Sequence, residues 1–290
     1  MSMTQVHPLV WVSGAGGLIG REMILSADAA RSAGWDVCGL TRQDLDLDDP
    51  TAVSRRLAEQ KPDLIIHCAA LSRTAACEAN PSLAHRLNVE ASARLIEEAP
   101  DARFVFFSSD LVFDGSRGNY SESDEPNPVT VYGRTKRAVE SLLARHPNAL
   151  VIRTSLNYGF SLSGDRSFNE EMVRAWRQNR PVNAFIDEYR CPIAASVTAM
   201  MTWRLALSSF TGIVHLAGAE RVSRWEIAEA LRSHYPFLNP TVEPMTLKGY
   251  KGPPRSPDVS LNCEKLNRWL GCRLPNFRDW LREHEPIHHA

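Results

Sequence analysis

Tyr132 and Lys136 stand four residues apart in VYGRTK, the separation that places two side chains on one helix face, one turn apart. A phenol titrates near pH ~10, too high to exchange protons readily at neutrality, and an adjacent ammonium favours the phenolate. Such a pair can act as acid or base. Hydride delivered to a ketone leaves an oxyanion, and a tuned tyrosine can protonate it while a neighbouring hydroxyl holds the oxygen. FVFFSSD supplies hydroxyls of that kind, because Ser108, Ser109 and Asp110 close an apolar, buried-type strand. In a parallel sheet they emerge at the carboxyl edge, where ligands of such folds bind. Taken alone, Tyr-x-x-x-Lys is a common exposed pair, and serines at a strand end are common turn or cap residues. The order of the motifs along the chain favours chemistry.

A second motif precedes them. GAGGLIG gives Gly14-x-x-Gly17-x-x-Gly20 between the first apolar run and the first helix-like stretch. Glycines let the backbone turn tightly and approach a pyrophosphate, whose charge then rests on free N–H groups at a helix N-terminus. A plain tight turn is the competing reading, weakened by the strand, loop and helix order. The second strand runs into Leu40, Thr41 and Arg42, with no acid before Asp44. Arginine there suits a 2′-phosphate, so NADP is favoured, with NAD still compatible.

These residues need a scaffold, and the chain offers one. Apolar runs at 9–12, 36–40, 64–68, 103–107 and 149–152 read as strands. They alternate with helical spacing at 18–33, 51–60, 82–99 and 132–146. Nearly continuous apolar strands separated by helices give an α/β fold, a Rossmann-type doubly wound parallel sheet covered on both faces. After Arg153 the rhythm loosens into a smaller, less regular region, with helices expected at 168–179 and 263–270. The expected division is a cofactor-binding domain over 1–154 and a substrate-binding region over 155–290, with 212–218 returning to the main sheet.

Composition narrows the class. The chain has 290 residues, 33 basic against 34 acidic, and is 43% hydrophobic, so no global field recruits nucleic acid or an anionic membrane surface. The apolar start is too short to span a bilayer, which points to a cytoplasmic protein with neither nucleic-acid nor membrane partners. Six scattered cysteines without CxxC spacing read as reduced packing residues. His284, His288 and His289 lie in a polar tail without companion acids, so no metal site is expected. Arg153 suits a nucleotide diphosphate or a structural salt bridge equally. The tryptophans at 176, 203, 225, 269 and 280 read as core or interface.

The glycine loop, Ser109 and Tyr132-x-x-x-Lys136, in this order, resemble the extended short-chain dehydrogenase/reductase family. LDLDDP (45–50), KPDLIIHCAALS (61–72), the long stretch 108–140 and RTSLNYG (153–159) are similar to its dTDP-4-dehydrorhamnose reductase branch. The resemblance implies reduction of the 4-keto group of a nucleotide-linked deoxysugar, with Tyr132 protonating the sugar oxygen and Lys136 binding the nicotinamide ribose. Ser109, with Asp110 beside it, would hold the substrate carbonyl. Gly14, Gly17, Leu18, Ile19 and Gly20 would cover the pyrophosphate, Thr41 and Arg42 the adenosine ribose, and Asp46 and Leu47 the adenine side. Ala70, Leu71 and Ser72 would line the inner ribose and phosphates, and Asn88 would be structural. Leu111 stands where these reductases usually show tyrosine, and Leu156, at a substrate-binding position, where many show tryptophan. DEYRCPIAAS (187–196) follows their D-Q-x-G-x-P-T-like segment only loosely. The resemblance leaves open a sugar-nucleotide epimerase or dehydratase, a non-catalytic NADP-binding regulatory subunit like the beta subunit of methionine adenosyltransferase, and a homodimer. Retention of Ser109, Tyr132 and Lys136 together favours the enzyme.

Overall fold

The computed structural model describes residues 7–286, so His288 and His289 lie outside the described residues. Strands β1 (Leu9–Ser13), β2 (Asp36–Leu40), β3 (Leu64–His67), β4 (Arg103–Ser109) and β5 (Ala149–Thr154) form one all-parallel sheet. A sixth strand, Gly212–Leu216, pairs parallel with β5 at its edge, giving the order Gly212–Leu216, β5, β4, β3, β1, β2.

Side chains alternate across a strand with period two, and here both faces are apolar. Val10, Val12, Leu64, Ile66, Val105 and Phe107 enter one core; Trp11, Ile65, Phe104, Phe106 and Val151 enter the other. Each core needs a covering layer. Helix α1 (Leu18–Leu25) and the Ala195–Ala206 helix cover the first, locked by Trp203 Nε1 donating to the Met23 carbonyl at 2.9 Å. The Pro50–Gln60, Ala91–Glu98 and Val131–Leu143 helices cover the second. Asp49, followed by Pro50, caps one of these, and Thr130 caps another.

The structure corrects the expected helices in two places. The stretch 18–33 is two helices, Leu18–Leu25 and Asp28–Ser32, with the Ser26 hydroxyl donating to the Glu22 carbonyl at 2.6 Å at the end of the first. The stretch 82–99 carries a π-helical turn at Arg86–Glu90.

Downstream of β5 a third core gathers Tyr158, Phe168, Trp176, Ile227 and Trp280, with the Tyr158 ring edge-on to both Phe277 and Trp280 at 4.9 Å. Two-residue ladders organise this region, among them Tyr189–Arg190 antiparallel to Val222–Ser223. Arg153 is structural: fully buried, it donates to both Glu140 oxygens at 2.9 and 2.8 Å, while Ser108 donates to Glu140 Oε1 at 2.5 Å. Among the described residues no helix is long and apolar enough to cross a membrane.

Candidate active site

The sheet order reverses between β1 and β3, and a crevice opens there at the carboxyl ends. Gly14 turns the chain out of β1 with φ +73°, and a Cβ on it would meet the Ala69 nitrogen at 2.7 Å, so only glycine fits. Gly17 then opens α1 in extended conformation, with no side-chain cap and no acid in the first turn. The first N–H groups of a helix have no intrahelical acceptor, and here they face the cleft. That cradle fits a pyrophosphate.

Beyond β2, Thr41 donates through its nitrogen and its hydroxyl to Asp44 Oδ2, at 2.9 and 2.6 Å. Arg42 donates to Asp46 Oδ2 at 3.2 and 3.1 Å through a side chain that is 75% exposed. An exposed pair of this kind holds its arginine weakly, so the guanidinium can turn to a phosphate. After β3, the Cys68–Ser72 loop is fixed by Asn88, which sits on the π-helical turn. Its Oδ1 accepts from the Leu71 nitrogen at 2.7 Å, and its Nδ2 donates to the Leu71 carbonyl and to Thr135 Oγ1, each at 3.1 Å. Asn88 thus ties the Cys68–Ser72 loop to the helix that bears Tyr132.

That helix begins at Val131, with Thr130 Oγ1 accepting from the Gly133 nitrogen at 3.0 Å. Gly133 lies against the Leu111 carbonyl so closely that no Cβ fits. The Ser109–Leu111 turn and the helix are therefore held in direct contact. Tyr132 and Lys136 share a face: the Lys136 ammonium lies 5.6 Å from the centre of the phenol ring and 4.6 Å from that of Phe106. Lys136 is buried, donates to the Phe107 carbonyl at 2.8 Å, and has its pKa lowered to about 8 by burial. The phenol departs from the expected tuning. Burial first, then the charge of Asp110, push Tyr132 above its ordinary value, while the Ser109 hydroxyl draws it the other way. At neutral pH the free protein therefore carries a protonated phenol.

Ser109 Oγ accepts from the Leu111 nitrogen and donates to Asp110 Oδ1, both at 3.1 Å. Ser155 donates to Asp110 Oδ2 at 2.6 Å. Burial raises the Asp110 pKa, against the opposing pull of Arg190.

Every residue assigned above to catalysis, cofactor or substrate lines one cleft of about 780 Å³, from the Gly14–Gly20 loop through Tyr132 to Leu156. Phe168, Glu188, Arg190, Arg224 and Arg255 line it too, and the sequence reading missed these. They come from short ladders and loops without periodicity. The one available signal was the pair of charges, Glu188 and Arg190, inside the DEYRCPI departure.

Residues 9–285 match the family model described as the RmlD substrate binding domain. The chain is 32% identical, over 90% of its length and 92% of the relative's, to a dTDP-4-dehydrorhamnose reductase from Sinorhizobium fredii. It is also 32% identical to the methionine adenosyltransferase 2 subunit beta of Xenopus tropicalis, over 94% of this chain and 85% of that one. In fold it is similar to a crystal structure of dTDP-4-dehydrorhamnose reductase from Bacillus anthracis in complex with NADP. The TM-score is 0.85 at 23% identity, covering 96% of this chain and 98% of that one.

Proposed function

The chain belongs to the RmlD substrate binding domain family, and on that footing we propose that it is an NADP-dependent oxidoreductase reducing the 4-keto group of a nucleotide-linked deoxysugar, with Tyr132 as proton donor. One observation carries this reading: Tyr132, Lys136 and Ser109 line the same cleft as the uncapped N-terminus of α1. The Bacillus anthracis relative was solved with NADP, and the exposed Arg42 just past β2 supports recognition of a 2′-phosphate. In this reading residues 1–154 carry the cofactor, and 155–290, apart from the returning edge strand, carry the substrate.

When bound, the reduced cofactor supplies the hydride. Gly17, Leu18 and Ile19 would hold its pyrophosphate, and Ala70, Leu71 and Ser72 its inner ribose. The chain's own groups do the rest. Ser109 would turn its single hydroxyl hydrogen from Asp110 Oδ1 to the carbonyl oxygen, polarising it, with its Oγ fixed by the Leu111 N–H. Tyr132, kept protonated by its buried setting, gives its proton to that oxygen as negative charge develops. Lys136, anchored on Phe107, sets a positive charge beside the phenol and favours the phenolate left behind.

The 32% identity to a methionine adenosyltransferase subunit supports a second reading, a nucleotide-binding regulatory subunit. The test is to mix the protein with NADPH or NADH and a panel of dTDP-, GDP- and UDP-linked 4-keto sugars. Stoichiometric oxidation of the reduced cofactor supports the reductase. Nucleotide retained through purification without net oxidation indicates an epimerase or dehydratase. No turnover on any sugar, with one protein partner captured stoichiometrically, replaces the enzyme by the subunit.

A further inference from the structure

Ser109 has one hydroxyl hydrogen and two claimants for it. Its Oγ accepts from the Leu111 nitrogen and donates to Asp110 Oδ1, both at 3.1 Å, while polarising a carbonyl requires the same hydrogen elsewhere. An ionised carboxylate only accepts, so it competes with the substrate. A protonated carboxyl group does the reverse: its O–H donates to Ser109 Oγ and, with the Leu111 N–H, fills the acceptor positions of that oxygen. The serine hydrogen is then free.

The surroundings of Asp110 suit the protonated form. The residue is 4% exposed, and burial, outweighing the pull of Arg190, holds its pKa above the ordinary carboxylate value. Arg190 Nε stands off at 3.9 Å from Oδ2, and the hydrogen bonds that reach the carboxyl group come from two serine hydroxyls. The place of the proton follows. Ser155 Oγ accepts from the Cys191 nitrogen at 3.2 Å and donates to Oδ2 at 2.6 Å, which leaves Oδ1, facing Ser109, to carry it. Tyr132, Glu188, Arg190 and Cys191 are the titratable or charged groups around this carboxyl group. After burial, the charge of Asp110 is what pushes the Tyr132 phenol up, so a neutral Asp110 also eases the phenolate and the oxyanion that the reaction forms.

We infer that Asp110 is a positioning acid: protonated on Oδ1, it donates to Ser109 Oγ and aims the serine hydrogen at the substrate carbonyl, whereas its ionised form holds that hydrogen back. The inference rests on the cleft taking a carbonyl substrate. Asp110 passes no proton to the substrate. It draws one from solvent when the substrate binds and returns it on release, acting through Ser109 alone.

The test is calorimetric titration of the full chain, saturated with oxidised NADP so that no turnover occurs, with a dTDP-linked 4-keto-6-deoxysugar. It runs from about pH 5 to about pH 7.5 in buffers of different ionisation enthalpy, on wild type, Asp110→Asn and Ser109→Ala. Wild-type binding is expected to take up a proton, with affinity rising about tenfold or more as pH falls. Asp110→Asn, whose amide donates to Ser109 at every pH, is expected to bind without uptake and with a flat affinity. Ser109→Ala is expected to lose the uptake as well, and it carries the test should Asp110→Asn not fold. Uptake that persists in Ser109→Ala places the acid on the carbonyl itself and overturns the inference, as does a wild type with flat affinity and no uptake. Separate mixing with NADPH keeps the two readings apart. A protein that oxidises NADPH with the sugar yet binds without uptake sinks this inference alone, and one that binds with uptake but never oxidises NADPH sinks the reductase alone. A wild type that does not bind the sugar sinks both.

Discussion

The Lys136 ammonium lies 2.8 Å from the Phe107 carbonyl oxygen and 5.6 Å from the centre of the Tyr132 ring. Its position is set by β4, and the phenol meets a cation already in place. The relationship between these two side chains carries a dependence on pH.

Burial lowers Lys136 from 10.5 to about 8. If its charge assists Tyr132, kcat/KM falls as pH rises through about 8, since that parameter reports the free enzyme. Lys136→Arg, if it retains activity, moves that limb beyond the accessible range. Stability has the opposite sign. Between about 8 and 10.5 the unfolded chain binds the proton and the folded chain does not, so the Lys136 contribution to stability rises with pH across that window. Urea midpoints of wild type and Lys136→Met across it check this: the buried cysteines, whose raised pKa values oppose the rise above 9, are common to both, so the difference between the two is expected to move in favour of wild type as pH rises, and parallel curves would contradict it.

His215 predicts the acid limb. Its Nδ1 faces the carbonyls of Tyr120 at 3.1 Å and Asn262 at 3.2 Å, so it carries the hydrogen, while Nε2 faces Arg153 Nη1 at 3.5 Å. Burial first, and Arg153 second, lower this imidazole to about 3, and burial does the same to His67. Each folded pKa is depressed below 6.5, so the unfolded chain binds more protons and stability is lost as pH falls from 6.5 toward 3. The slope approaches about 1.4 kcal/mol per pH unit for each group. His215→Gln is expected to be less stable at pH 7 but to show a shallower acid slope by denaturant titration; an unchanged slope would remove His215 from the account.

Gly133→Ala drives a methyl group into the Leu111 carbonyl and the Pro128 ring. The Tyr132 helix must then move off the Ser109 turn, at a cost of about 1–3 kcal/mol. Turnover is expected to fall further than NADP affinity, because the displaced contact joins Tyr132 to Ser109 and leaves the Gly14–Gly20 loop alone. Thermal melting together with cofactor titration separates the two, and equal losses would place the damage in folding alone.

The scaffold was legible because each strand of the main sheet is apolar on both faces, a pattern few other structures tolerate. The glycine loop and Tyr-x-x-x-Lys were legible because their geometry is local: one βα turn and one helical turn. The Arg190 and Arg224 wall was not, since a two-residue ladder leaves no periodic trace and its rungs are joined only by folding. The direction of the Tyr132 shift was also hidden. Spacing places a cation near the phenol, but the depth of burial, which dominates here, belongs to the packed structure. The break at Ser26 and the π turn around Asn88 are departures of one turn or less, which helical periodicity does not encode.

The central claim is that the Tyr132 hydroxyl delivers the proton that follows the hydride. Its most direct test is single-turnover oxidation of bound NADPH by a dTDP-linked 4-keto-6-deoxysugar in Tyr132→Phe, beside cofactor affinity from fluorescence titration. The account predicts NADPH affinity within about twofold of wild type and a chemical step slowed by about 10²–10⁴. A Tyr132→Phe protein that turns over at the wild-type rate would contradict it.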